Sequence, residues 1–380
     1  MNIPVYMDYN ATTPCDPRVV ETMLPYFTKH FGNAASHTHG YGWTAKEAVD
    51  LAREQIAGLI HSEPGEIIFT SGATEAINLA IKGVFELYHK KGNHIITCST
   101  EHKAVLDTCK TLERRGAQIT YLPVNKDGSI LLSHLEEAIT PQTILVACMY
   151  ANNETGYIHP VEEISKIVHE RNSYFFCDGT QAIGKIPVDV NDGGIDLMAF
   201  SGHKIDGPKG IGVLYMRRKN PRMRVQPQMD GGGHENGFRS GTLNVPGIVG
   251  MGKAALLCIE EMYQDAERIS RLRDQLEQSL LETGQVSVNG NVATRLPNTA
   301  NLAFHGVNGP QLITEVTKKI AVSAGSACTS ALPEPSHVLR AMGLPDNLAK
   351  ASLRFSLGRF TTQEEVEFAI KTIEEILKYQ

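Results

Sequence analysis

Between residues 45 and 217 the chain alternates short apolar runs with longer stretches of helical periodicity, and this alternation constrains the fold more than any other feature. Val49, Ala52, Ile56 and Leu59 recur at helical spacing, Ile67–Thr70 reads as a strand and Ala73–Tyr88 as a helix. The runs 94–98, 119–124, 143–150, 174–177, 195–200 and 210–217 continue the pattern, with helical stretches such as 103–115 and 161–172 between them. Near-continuous apolar runs are what strands covered by helices on both faces require. The expectation is an α/β fold with a mostly parallel, seven-stranded sheet ending near residue 217. A glycine-rich polar stretch, 228–247, reads as a loop. A helix over 255–283, with Ile269, Leu272, Leu276 and Leu280 in register and Gly284 as its cap, leads into a smaller α+β unit that ends in an amphipathic helix over 362–379. A chain of 380 residues exceeds what one core fills, so two domains are expected: a large one over 15–258, and a small one built from 1–14 and 259–380.

The net charge of -6 argues against direct binding to nucleic acid or to an anionic membrane. No window approaches a membrane span and no basic-then-apolar leader opens the chain, so a cytoplasmic location is expected. The seven cysteines, Cys15, Cys98, Cys109, Cys148, Cys177, Cys258 and Cys328, form no C-x-x-C pair and are odd in number, against a disulfide scaffold or a zinc ribbon; no metal site is expected. Six lie in or beside apolar segments and read as small hydrophobes. Cys328 differs, because residues 323–331 around it are small and offer little to pack. A thiol on such a loop can receive an atom at a buried site and deliver it elsewhere.

Lys204 directly follows one apolar run and Asp178 ends another. A lysine and a carboxylate at two strand ends suit a Schiff-base enzyme whose cofactor nitrogen needs an anionic partner, although a snorkelling lysine and a helix-capping aspartate would look the same. Ser71-Gly72-Ala73-Thr74-Glu75 sits where a strand turns into a helix, a place for a phosphate or for an ordinary cap. His102, Asn153 and Gln181 follow other runs, where a ring could stack or move a proton and amides could bind a carboxylate or a phenolic oxygen. Ligands of open α/β sheets gather at these carboxyl ends, and the coincidence of five polar strand ends is the evidence. Arg354 alternates with apolar neighbours, either as a paired structural ion or as a clamp for a substrate carboxylate.

Taken together, Asp8-Tyr9-Asn10-Ala11-Thr12-Thr13, Phe69 to Glu75, Thr100-Glu101-His102, Asn152 to Gly156, Ser201-Gly202-His203-Lys204, Arg239-Ser240-Gly241-Thr242 and Gly325 to Ser330 resemble the cysteine desulfurases of the NifS/IscS type, fold-type I pyridoxal phosphate enzymes. The resemblance implies that Lys204 holds pyridoxal 5'-phosphate covalently, Asp178 pairs with its pyridine nitrogen and His102 stacks on its ring. Ala73, Thr74, Ser201 and His203 would bind the phosphate, with Thr242 reaching it from the neighbouring subunit of a homodimer, and Gln181 would bind the ring oxygen. Asn153 and Arg354 would orient L-cysteine, Lys204 would take its α-proton, and Cys328 would attack its sulfur and carry the persulfide to an acceptor, with His102 as the base that readies the thiol. Ala34, Gly179 and Asp206 depart from the residues the family leads one to expect, namely proline, alanine and tyrosine. Relatives serving iron–sulfur scaffolds continue beyond the last helix into a docking tail, whereas this sequence stops at Gln380, so iron–sulfur assembly, tRNA thiolation and DNA phosphorothioation all stay open as destinations. A selenocysteine lyase or aminotransferase would share Lys204 and Asp178 without requiring Cys328, and a silent scaffold would require neither.

Overall fold

The computed structural model describes residues 3–219, 222–324 and 335–378. β1 (Val5–Tyr6) opens the chain. β2 (Ile67–Thr70), β3 (His94–Cys98), β4 (Gln118–Leu122), β5 (Thr143–Met149), β6 (Tyr174–Asp178), β7 (Leu197–Ser201) and β8 (Gly212–Met216) then form one sheet in the order β2-β8-β7-β6-β5-β3-β4. Pairing from β4 to β7 is parallel, and β8 runs antiparallel to both β7 and β2. β2, β3, β5, β7 and β8 are buried at every position, as strands covered on both faces must be, while β4 at the edge is mostly part-exposed.

Successive residues of β5 serve opposite faces, following the two-residue period of a strand. Val146 and Cys148 join a core with helices Gly40–Leu59 and Val245–Leu281, whereas Leu145 and Ala147 join another with helices Ala73–Tyr88 and Lys103–Glu113. A third core surrounds the antiparallel sheet β12-β10-β9, made of β9 (Val286–Val288), β10 (Thr299–Phe304) and β12 (Ser352–Ser356). Leu302, Leu353 and Phe355 pack there with Val366 and Ile373 of the last helix, Gln363–Leu377, and with Met7 from the start of the chain. β11 (Ile320–Ala321) pairs in parallel with β1. Among the described residues no helix is long and apolar enough to cross a membrane.

The connecting helix starts at Val245, not near 255. Asn244 caps it by accepting from the Gly247 N–H at 3.1 Å, and Pro246 occupies its first turn. Gly250 and Gly252, which interrupt the apolar pattern near the helix start, are packing positions: a Cβ on Gly252 would stand 2.6 Å from the Ala52 Cβ of the facing helix, and one on Gly250 would overlap Met23 Sδ. β7 begins at Leu197, just after Asp196, whose side chain accepts from the Phe175 N–H at 2.8 Å and pairs with Arg217 at 3.1 Å.

Candidate active site

The carboxyl ends of β2, β3, β5, β6 and β7 open onto one cavity of about 600 Å³. Ala73, Thr74, His102, Asn153, Asp178, Gln181, Ser201, His203 and Lys204 all line it, so nine residues singled out from sequence meet in one place. Thr242 is exposed and lies outside that lining. Arg354 is buried behind Asn153, and Cys328 lies outside the described residues.

The β2 exit ends in a turn at Gly72, the N-cap of helix Ala73–Tyr88, and no side chain caps this helix. Its first-turn N–H groups are therefore left for an anion, with the helix dipole behind them. Neither Ser71 nor Thr74 acts as the cap; the Ser71 N–H donates to Glu75 Oε2 at 2.8 Å, and Arg239 donates to Glu75 Oε1 at 2.7 Å, balancing the one acidic group in that turn. Ser201 stands across the turn, its hydroxyl 3.9 Å from where a Gly72 Cβ would lie. His203 Nδ1 is 3.1 Å from Thr12 Oγ1, and burial, aided by Lys204, Lys209 and Lys185, holds its pKa down at about 4. It therefore meets an anion as a neutral imidazole.

Lys204 ends the short 3-10 turn Gly202–Lys204. It does not snorkel: its Nζ donates to the Asn10 carbonyl and to the Ala11 carbonyl, the latter at 2.7 Å. Burial is the main cause that lowers its pKa to about 8; Arg354 adds to it, and Asp8 and Asp178 oppose it. Asp178 is buried at the last position of β6, with Oδ1 accepting from the Thr180 N–H at 3.0 Å. His102 caps helix Lys103–Glu113 by accepting at Nδ1 from the Ala104 N–H at 3.1 Å, which assigns the ring proton to Nε2. Burial also lowers its pKa, so the ring is neutral at pH 7.

Arg354 resolves as both a paired ion and a neighbour of the cavity. Nη2 is 2.6 Å from Asp8 Oδ1 and Nη1 donates to the Asn153 carbonyl at 2.9 Å, while Nε has no partner among the described residues. The segments flanking the Cys328 stretch are anchored here. Ser323 pairs with Arg354, whose N–H donates to the Ser323 carbonyl at 2.7 Å. Ser336 donates to Glu154 Oε2 at 2.5 Å, and His337 Nε2 lies 3.0 Å from the Glu101 carbonyl, next to His102. Sequence reasoning gave no role to Asp8, Asn10 or Lys185. The first two stand in the motif at residues 8–13, and Lys185 carried no signal beyond its place four residues after Gln181.

Two of the three departures, Gly179 and Asp206, have defined local settings. A Cβ at Gly179 would stand 2.8 Å from Met198 Sδ, so a side chain there displaces Met198. Asp206 adopts φ 58° and its Oδ1 is buried without a partner among the described residues; burial lifts its pKa to about 6.

The donor set fits pyridoxal phosphate: uncapped helix N–H groups for the phosphate, a buried carboxylate for the ring nitrogen, and an inward amine with a depressed pKa. The fold and this site define the class, and the chain belongs to the aminotransferase class-V family, whose profile matches residues 5–368. Within it the chain is 55% identical over 372 residues to a protein named cysteine desulfurase IscS from Anaeromyxobacter dehalogenans (strain 2CP-C), covering 98% of this chain and 92% of that one. Among solved structures it is similar to a NifS-like protein, with TM-score 0.92 and 39% identity over 100% of both chains. It is also similar to SspA in complex with cysteine, with TM-score 0.81 and 36% identity, covering 94% of this chain and 100% of that one.

Proposed function

We propose that this chain is a pyridoxal-phosphate-dependent cysteine desulfurase that converts L-cysteine to L-alanine and leaves the sulfur as a persulfide on Cys328. The observation that carries the reading is the convergence of the uncapped helix start at Gly72, the Asp178 carboxylate and the Lys204 amine on one cavity. Lys204, Asp178, His102 and Gln181 would hold the ring, and Ala73, Thr74, Ser201 and His203 the phosphate, with Thr242 supplied by a second copy. Bound pyridoxal phosphate supplies an electron sink for the charge that develops at the substrate Cα. Lys204, neutral in part at pH 7, accepts the α-proton. Arg354 and Asn153 fix the substrate carboxylate so that its sulfur faces the Cys328 segment, whose two flanks are anchored at Arg354 and Glu154. The Cys328 thiolate forms a bond to the substrate sulfur as the Cβ–S bond breaks, Cβ gains a proton, Lys204 returns one to Cα, and alanine leaves. His102 serves mainly as the stacking ring and an Nε2 donor, since taking a second proton at Nδ1 would break its cap on helix Lys103–Glu113.

A homodimer is supported by the exposed position of Thr242 and by the exposed apolar side chains Leu24, Phe27, Phe31, Tyr41 and Trp43, more than a solitary surface ordinarily carries over so short a stretch. The separate cores support a division into a large unit over 15–258 and a small unit from 1–14 and 259–380, with helix Val245–Leu281 running across the boundary. The six described cysteines are free thiols, which supports a cytoplasmic location. A protein acceptor then takes the sulfur toward iron–sulfur clusters, tRNA or DNA modification.

The test is intact-protein mass spectrometry after brief exposure to L-cysteine, with alanine assayed in parallel. One added sulfur on Cys328, alanine released, and neither seen in Cys328→Ser is the expected result. Unchanged alanine and sulfide release by Cys328→Ser would refute the desulfurase reading in favour of a lyase.

A further inference from the structure

Lys185 is an amine for which the reaction above has no use. Its Nζ donates to Gln181 Oε1 at 2.6 Å and to Asn10 Oδ1 at 3.4 Å, both amide oxygens. Burial, with Lys204 and Arg354 nearby, brings its pKa down to about 7. A desolvated amine held only by neutral acceptors is costly, and an uncharged side chain would pack there at less expense.

In its charged form Lys185 has donors and no acceptor, so it is the oxygen of Gln181 that faces it, at 2.6 Å. That turns the Gln181 nitrogen the other way, where one N–H donates to the Asn10 carbonyl at 3.0 Å and a second N–H is left over on a residue that lines the cavity. Asn10 is itself immobilised: its Oδ1 also accepts from Asn298 at 2.9 Å, and its Nδ2 donates to Thr299 Oγ1 at 2.9 Å. A carboxamide without such a neighbour could present either end.

We propose that Lys185 is a positioning residue, which locks the Gln181 carboxamide so that it meets the cofactor ring as an N–H donor and thereby selects a ring oxygen carrying negative charge. This rests on the reading that Gln181 faces the ring. The test is a double-mutant cycle on cofactor binding, not on turnover. Cofactor-free wild type, Lys185→Met, Gln181→Ala, the double variant and Lys185→Arg are titrated with pyridoxal phosphate, reading the dissociation constant and the pH midpoint of the bound cofactor's absorption. Methionine keeps the apolar stem, and Lys185→Gln replaces it in the cycle should Lys185→Met fail to fold. Each single variant is expected to weaken binding about tenfold, the loss of one hydrogen bond to a charged group, and to move the midpoint in the same direction. The double variant should bind no worse than Gln181→Ala, because Lys185 acts through Gln181, and Lys185→Arg should recover most of the affinity. Additive losses, or a Lys185→Met protein indistinguishable from wild type while Gln181→Ala is impaired, would overturn the proposal alone. Gln181→Ala with unaltered affinity and midpoint would overturn the placement of Gln181 against the ring, and the proposal with it.

Discussion

Gly212 of β8 packs directly beneath Gly72, so close that a Cβ at 212 would stand 2.5 Å from the Gly72 Cα and 2.9 Å from the Ala73 nitrogen. The antiparallel strand and the start of the phosphate-facing helix are thus in backbone contact. Gly212→Ala must push that turn away, since backbone cannot yield as a side-chain tip does. Cofactor affinity, measured by equilibrium dialysis, should fall roughly tenfold or more, with an overpacking cost of about 1–3 kcal/mol in stability. Unchanged affinity would show that the turn is not the phosphate cradle.

The Lys204 amine gives a pH signature. Its pKa is lowered to about 8, chiefly by burial, so the neutral nucleophile accumulates as pH rises through 8, where an ordinary lysine would need pH above 10. The rate at which cofactor-free protein captures pyridoxal phosphate should climb between about pH 7 and 8.5 and then level off. Asp8→Asn removes a carboxylate that favours the charged amine and leaves Arg354 uncompensated, so both effects move the midpoint downward. A rate still rising at pH 10 would contradict the burial argument.

Arg354→Lys separates positioning from chemistry. A lysine cannot reach Asp8 and the Asn153 carbonyl together, as the guanidinium does at 2.6 and 2.9 Å. Steady-state kinetics should show KM for L-cysteine raised about tenfold or more, with a smaller change in kcat. A drop confined to kcat would instead place Arg354 in the chemical step.

Thiol reactivity should separate Cys328 from the cysteines of the buried core. Burial raises Cys109 and Cys258 to about 12, and Cys148 and Cys177 lie well above the ordinary range. Because the thiolate is the reacting form, alkylation of native protein at pH 8, followed by peptide mapping, should label Cys328 about a hundredfold faster than these four. Comparable labelling of Cys109 or Cys258 would mean that the core opens under those conditions.

Gly179→Ala, which restores the alanine expected from the family, should destabilise this chain by about 1–3 kcal/mol, because the Met198 sulfur already fills that space. Thermal unfolding of Gly179→Ala with and without Met198→Val checks this, and the second substitution should recover part of the loss.

The core strands and the members of the site were legible because both are local properties of the chain. A strand buried on both faces must be apolar throughout, so 67–70 and 94–98 announce themselves, and β2 and β3 occupy those residues. Lys204, Asp178, His102 and the turn at Gly72 could be collected because chemistry at an α/β sheet gathers at strand ends. The start of helix Val245–Leu281 is less legible, since Gly250 and Gly252 make sense only against Met23 and Ala52, far away in sequence. Tertiary structure alone decided that the Lys204 amine points at Asn10 and Ala11, that Asp8 shares Arg354, that Met198 excludes a side chain at 179, and that Lys185 turns Gln181. Periodicity and motif spacing report what each segment buries and which groups it carries. Hydrogen-bond partners, pKa values and steric exclusions depend on which segments are brought together, and that is settled only when the sheets and helices pack.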